Sequence, residues 1–352
     1  MIRFMDGFDQ EVPAFENGWG VESSLSRMEL ATSPDGDKML DAKGLFGSNV
    51  KSYLRLRRAV PADWGDRFCI GFLVRPVRSQ APTQDNLNEI QLAQIDGNPT
   101  AGAQGLITFG MAVNGGQVFC TLNGELTAIP MEYGNVYHFV ELEIDKVALV
   151  ARAWLNNELV GTKPITGQET LLSYWIGFSN LDAVSTVDAS IAYFNDFYES
   201  DGTTALNNLR IGKVKVVTRQ PQADAVTEFS RGAGASNASQ VADLTPDGDA
   251  SYVYSNLAGA VDLYTNGDAL PYPDAPVLAV AVSVSARKEG PEARSVAPMI
   301  QVDGSDEIGE RVNLKVTSYT RGTTVFNANP NTGGAWDGPS AAGARFGQTL
   351  VV

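Results

Sequence analysis

The chain has 352 residues, of which 43% are hydrophobic and 19% charged, so it holds material for a sizeable core and length for two domains. Its formal charge of −15 would be repelled by a phosphate backbone, which argues against general nucleic-acid binding. No run approaches the roughly 18 apolar residues of a membrane-spanning helix, so no membrane span is expected.

The charge is uneven. Residues 1–204 carry 14 basic and 26 acidic side chains, and residues 205–352 carry 12 and 15. The only cysteines, Cys69 and Cys120, sit in apolar strand-like runs and read as buried, reduced thiols. With no secretory pattern at the N-terminus, the chain reads as made in a reducing cytoplasm.

Taken in order, Ser52–Val60 (SYLRLRRAV) alternates, placing Leu54 and Leu56 inward and Arg55 and Arg57 outward. Arg67–Val77 is almost continuously apolar and reads as a central strand; Ser79–Asn88 is a polar surface loop. Glu89–Ile95, Gly105–Val113 and Gly116–Leu122 follow as strands, with Asn114-Gly115-Gly116 a clear hairpin joint. In the next strand Val140, Leu142 and Ile144 alternate with Glu141, Glu143 and Asp145, which predicts three residues toward a core and three carboxylates toward water. Val147–Leu155 continues the β pattern to Asn156-Asn157, a pair suited to a tight turn, and Leu159-Val160 begins the return. Ile176–Phe178 and Ile191–Phe194 add two more strands.

Asp201-Gly202-Thr203-Thr204 opens a short linker, 201–208, between domains at 1–200 and 209–352. In the second half Leu209–Thr218, Val277–Ala286, Val296–Val302, Val312–Tyr319 and Phe346–Val352 read as strands, and residues 230–251 as an irregular arm. The expected fold is all-β throughout.

The first 200 residues resemble the concanavalin A-like (laminin G-like) jelly roll. The resemblance rests on Tyr137–Glu141, Trp154–Asn157, Trp175-Ile176-Gly177 and the closing Asn195–Tyr198, with Met1–Asp9 similar to the opening strand. It implies that the closing strand pairs near the N-terminus. About 140 residues of the second half are similar to tail-associated virion proteins of tailed bacteriophages. That pattern runs through Tyr252-Val253, Asp262-Leu263-Tyr264, Ala286-Arg287-Lys288, Asn329–Gly333, Trp336 and Phe346-Gly347. This second resemblance implies a non-enzymatic structural component present in several copies.

Each candidate site has a plainer alternative. Laminarinase-type glycosidases share the sandwich and place alternating carboxylates on one strand, at the ~5–5.5 Å spacing a retaining mechanism needs. Here Glu143-Ile144-Asp145 starts such a motif, but Val147 and Ala148 stand where its last glutamate belongs, so a solvated strand face is preferred and no catalytic residue is assigned. His138 is the only histidine and reads as structural; no Gly-x-Ser-x-Gly elbow accompanies it. The aspartates of three Asp/Gly turns (Asp35, Asp37; Asp247, Asp249; Asp303, Asp306) are weak Ca²⁺ candidates, because tight turns favour the same residues without metal. No other cofactor is expected.

Trp154 and Trp175 read as core, whereas Trp64 and Trp336, in loops, are candidates for exposed contact. Arg55, Arg57 and Arg58, the one dense basic cluster, read either as a solvated strand face or as an interface anchor. The leading expectation is a tail-associated structural protein of a bacteriophage virion, assembling with copies of itself and other virion proteins. A carbohydrate-binding module for a host glycan and a capsid decoration protein are the alternatives.

Overall fold

The computed structural model describes the chain except residues 9–18, 25–26, 33–37, 46–52, 77–89, 98–104, 115–116, 133, 135, 168–169, 181–187, 209, 244–246, 268 and 352. The expected Asp/Gly turn of Asp35 and Asp37, the Ser79–Asn88 loop and the Gly115-Gly116 turn lie outside the described residues. The chain divides into two compact units, one ending at Val217 and the other running from Thr218 to Val352.

The first unit contains β1 Ile2–Asp6, β2 Gly20–Ser24, β3 Arg27–Thr32, β4 Lys38–Leu45, β5 Tyr53–Ala59, β6 Arg67–Pro76, β7 Ile90–Gly97 and β8 Ile107–Asn114. It continues with β9 Gln117–Leu122, β10 Glu125–Pro130, β11 His138–Asp145, β12 Val150–Leu155, β13 Glu158–Pro164, β14 Leu171–Asn180 and β15 Asp188–Asp201. One sheet orders them β13-β12-β11-β6-β15-β4-β3, with β1 also on β15; a seven-stranded sheet orders β10-β9-β8-β7-β14-β5-β2. These two antiparallel layers form a jelly-roll sandwich. The closing strand β15 pairs with the opening strand, and Met1 and Asp201 exchange backbone hydrogen bonds.

Period-two alternation supplies the core. Leu54 and Leu56 of β5, Phe68, Ile70 and Phe72 of β6, and Val140, Leu142 and Ile144 of β11 are all buried. Trp19 is the hub of the aromatic packing, with its ring centroid 4.9 Å from Phe197, 5.8 Å from Phe4 and 5.9 Å from Tyr174. Asn156 and Asn157 both take positive φ (51° and 71°) between β12 and β13, as the sequence predicts. The expected strand over Val147–Leu155 starts later, at Val150, because Lys146–Leu149 form the turn after β11.

Leu209–Thr218 is expected as a strand, but Leu209 lies outside the described residues and Arg210–Val217 has no regular structure. Its donors bond to side chains on the outer face of the larger sheet instead of to a ladder: Gly212 N–H to Glu141 Oε1 (2.8 Å) and Val216 N–H to Asp196 Oδ1 (2.9 Å). Ile211 and Val214 pack on the buried Cys69, Phe139 and Tyr198. Gly71 makes this possible, because a Cβ there would fall within the Tyr198 ring.

The second unit holds β16 Ala223–Thr227, β17 Ser230–Arg231, β18 Val253–Tyr254, β19 Val261–Thr265 and β20 Val280–Ala286. After these come β21 Ser295–Val302, β22 Ser305–Ile308, β23 Val312–Asn313, β24 Thr320–Phe326, the short helix α1 Gly338–Gly343, and β25 Arg345–Val351. The main sheet runs β16-β19-β25-β21-β22 with β23 on β21; β17 pairs with β18, and β20 with β24. Of the expected strand Val312–Tyr319, only Val312–Asn313 pairs.

The irregular arm after residue 230 is pinned by a fully buried aspartate. Asp262 accepts from the Glu228 and Phe229 N–H groups (both 2.8 Å), Asn237 Nδ2 (2.6 Å) and the Tyr264 hydroxyl (3.0 Å).

Candidate functional site on the seven-stranded sheet

Strand pleating decides which arginines of β5 share a face. Arg55 and Arg57 turn to the outer face of the seven-stranded sheet, and Arg58, one residue on, turns into the sandwich. Register then lays Trp175 of β14 beside Arg57, Gln94 of β7 beside Trp175, and Thr108 of β8 beside Gln94. Four strands thus carry one lateral row.

The row and its neighbours are joined by hydrogen bonds. Arg57 Nη1 donates to Asp96 Oδ2 (2.6 Å) and to Ser173 Oγ (2.7 Å), and Ser173 Oγ donates to the same Asp96 oxygen (2.9 Å). Gln94 Nε2 donates to Asp96 Oδ1, and its carbonyl accepts from Thr108 Oγ1 (3.1 Å). Gly105, at φ +32°, leaves the space Gln94 fills. The Arg55 guanidinium lies over the Trp175 ring at 4.6 Å. Arg57 and Asp96 keep 30% and 18% of their side chains exposed, so the network is half open to solvent. Trp175 beneath it is fully buried, and its Nε1–H has no hydrogen-bond partner among the described residues.

Chemically this is a preorganised set of donors and acceptors on a rigid sheet. Its one carboxylate is held by three donors, which suits recognition of a hydroxyl-rich ligand better than proton transfer.

The other sequence candidates lie elsewhere. Arg58, read as surface, sits over the Phe4 ring (3.7 Å) and faces the buried Glu199 carboxylate at 3.6 Å. Glu199 also accepts from the Tyr174 hydroxyl (2.6 Å); burial raises its pKa and the Arg58 charge opposes the rise. Trp64 is half-buried, with Lys146 Nζ 4.0 Å above its ring.

Trp336, expected as an exposed contact, is instead 4% exposed. Its Nε1–H donates to Phe326 O (2.8 Å), and it packs with Val282, Ile300 and Val302 in the core of the second unit. Trp175 is buried as expected, though by Arg55 on an outer face and not by the sandwich core; Trp154 is half-buried beneath Arg210 (4.1 Å).

The four described aspartates offered for Ca²⁺ have protein partners or turn roles. Asp249 accepts from the Tyr319 hydroxyl (2.6 Å) and from Arg287 in a two-pronged bond (3.0 and 2.9 Å), which hold its carboxyl below the usual range. Asp247 caps Ser251, Asp303 forms the β21–β22 turn at φ +50°, and Asp306 accepts from Gln301. Among the described residues no three His, Cys, Asp or Glu side chains group as a metal site.

The β11 carboxylates, expected to face water, are buried: Glu141 is 1%, Glu143 7% and Asp145 2% exposed. Alternation turns them away from the core as expected, but Arg210–Val217 covers Glu141 and basic neighbours pair with all three. Glu141 accepts from the Tyr198 hydroxyl (2.5 Å), Gly212 N–H and Arg210. Arg152 reaches Glu143 (3.1 Å) and Asp145 (3.3 Å), and Arg67 lies 3.2 Å from Asp145. Burial raises the Asp145 pKa, but the Ala148 N–H, Arg152 and Arg67 together hold it below the ordinary value.

His138 is structural. Its Nε2 donates to Glu132 O (2.8 Å), and its Nδ1 accepts from Asn156 Nδ2 (3.2 Å). Burial lowers its pKa, against the Glu132 contact, so the folded ring stays neutral where the unfolded one gains a proton. Stability is therefore expected to fall as pH drops below about 6.5. Thermal melts between pH 7.5 and 5.5 check this: His138→Gln should flatten the decline.

No protein-family model and no curated protein matches the chain. Solved structures match over about half of it. An endo-β-1,4-glucuronan lyase from the fungus Trichoderma reesei is 10% identical with a TM-score of 0.39, over 56% of this chain and 95% of that one. A carbohydrate esterase of the Shiga toxin-encoding bacteriophage phi24B is 12% identical with a TM-score of 0.39, over 56% and 97%. The lectin UEA-II complexed with galactose is 10% identical with a TM-score of 0.35, over 56% and 98%. Likenesses at this level carry no functional weight.

Proposed function

We propose that this chain is a non-catalytic, tail-associated component of a bacteriophage virion whose first unit recognises host-surface carbohydrate with the outer face of its seven-stranded sheet. The observation that carries the recognition reading is the Arg57–Asp96–Ser173–Gln94–Thr108 network, fixed across four strands and half open to solvent. Sugar hydroxyls are matched by such fixed, alternating donors and acceptors, and positions on strands hold them better than positions on loops. The virion address is supported by the second-half pattern from Tyr252 to Phe346.

Catalysis is disfavoured by the state of the carboxylates. Asp96 already accepts from Arg57, Ser173 and Gln94, and Glu141, Glu143 and Asp145 are tied to arginines. None is placed as a free general acid or base.

A glycan array tests the reading. The wild-type chain is expected to bind a defined set of glycans and release no product, and Arg57→Ala to weaken that binding by about tenfold or more with an unchanged melting temperature. Equal binding by the variant, or product formation, would overturn it.

A further inference from the structure

Edge strands expose unpaired backbone groups, and proteins ordinarily guard them with charge, proline or irregular register. Among the described strands of four residues or more, the edges follow that rule with one exception. By sequence, β2 holds Glu22, β3 Glu29, β10 Pro130, β13 Pro164, β16 Asp224 and β22 Glu307. β20, Val-Ala-Val-Ser-Val-Ser-Ala, holds neither charge nor proline across seven residues. It pairs with β24 in unbroken register from Val280↔Phe326 to Ala286↔Thr320, and among the described residues no strand lies on its other side. Beyond that ladder, no backbone group of Val280–Ala286 has a hydrogen-bond partner among the described residues.

We propose that this open edge of β20 pairs antiparallel with β20 of a second copy of the chain, joining two two-stranded sheets into one of four strands about a two-fold axis at Ser283. A two-fold places Val282 opposite Val284, Ala281 opposite Ser285 and Val280 opposite Ala286. Every cross-strand pair is then small and uncharged, with no like charges opposed. The guarded edges cannot self-pair so freely, and this contrast selects a second copy as the occupant. Val282 is 5% exposed in the core and Ser283 and Ser285 are exposed, so pairing extends an apolar row on one face and a hydroxyl row on the other. This surface is independent of the Arg57 network.

Sedimentation of the full chain tests the pairing. The wild type is expected to sediment as a dimer of the 37.6 kDa chain. Ser283→Lys, which opposes two ammonium groups at the axis on an exposed position, should sediment as a monomer that still unfolds cooperatively. Ser283→Cys should form a disulfide-linked dimer that reductant reverses, while the native Cys69 and Cys120, both buried, stay unlinked. A monomeric wild type, a dimer that survives Ser283→Lys, or an absence of cross-linking through Ser283→Cys would each overturn the proposal. Because Ser283→Lys leaves the Arg57 network intact, loss of the dimer and loss of glycan binding are separate results.

Discussion

Trp336→Ala is expected to destabilise the second unit by about 3–5 kcal/mol, the range for deleting a large buried aromatic. The indole is 4% exposed, fills the space between Val282, Ile300, Val302 and Phe326, and spends its only polar atom on Phe326 O. Alanine leaves a cavity and removes the indole's hydrogen bond to Phe326 O. Trp336→Phe keeps most of the volume and loses the hydrogen bond, so it should cost about 1–2 kcal/mol. Denaturant unfolding followed by tryptophan fluorescence and by circular dichroism measures both. A loss below about 1 kcal/mol for alanine would mean that Trp336 is a surface residue after all.

Arg210→Ala should cost about 3 kcal/mol, the lower end for breaking a buried ion pair, because the arginine side chain keeps 22% of its exposure while Glu141 keeps 1%. The carboxylate would retain the Tyr198 hydroxyl and Gly212 N–H but lose its cation, and Trp154 would lose the guanidinium above its ring. Adding Glu141→Met to Arg210→Ala should recover much of the loss, since the uncompensated charge and not the missing contact sets the penalty. Limited proteolysis gives a second readout, with faster cleavage within 210–217 in the single variant. An unchanged stability would show that the segment does not hold the sheet face.

Much of the fold was legible from pleating alone. The Asn156-Asn157 turn, the inward rows of β5 and β11, and the pairing of the closing strand with the opening one all follow from local chemistry or from the resemblance it carries. What covers an outward row is not local. Glu141 is shut from water by a segment about 70 residues later in sequence, whose attachment depends on the absent Cβ at Gly71 and the resulting place for Tyr198.

The site was half legible. Period two separates Arg55 and Arg57 from Arg58, but an inward arginine is credible only once Glu199 and Tyr174 are seen opposite it. Asp96, Gln94, Ser173 and Thr108 carried no signal of their own; strand order, which brings β7 and β8 beside β14 and β5, assembles them. The burial of Trp336 is not legible in the sequence, because a glycine-rich context marks a turn, not the direction of its aromatic.

The most direct measurement follows the indole N–H resonances of the five tryptophans while the glycan selected on the array is added to the full chain. Recognition on the seven-stranded sheet predicts a shift of the Trp175 signal, whose Nε1–H lies unpaired beneath Arg55, with the Trp64 and Trp336 signals unmoved and the glycan intact. A stationary Trp175 with movement at Trp64 or Trp336, or a glycan consumed during the titration, would contradict it.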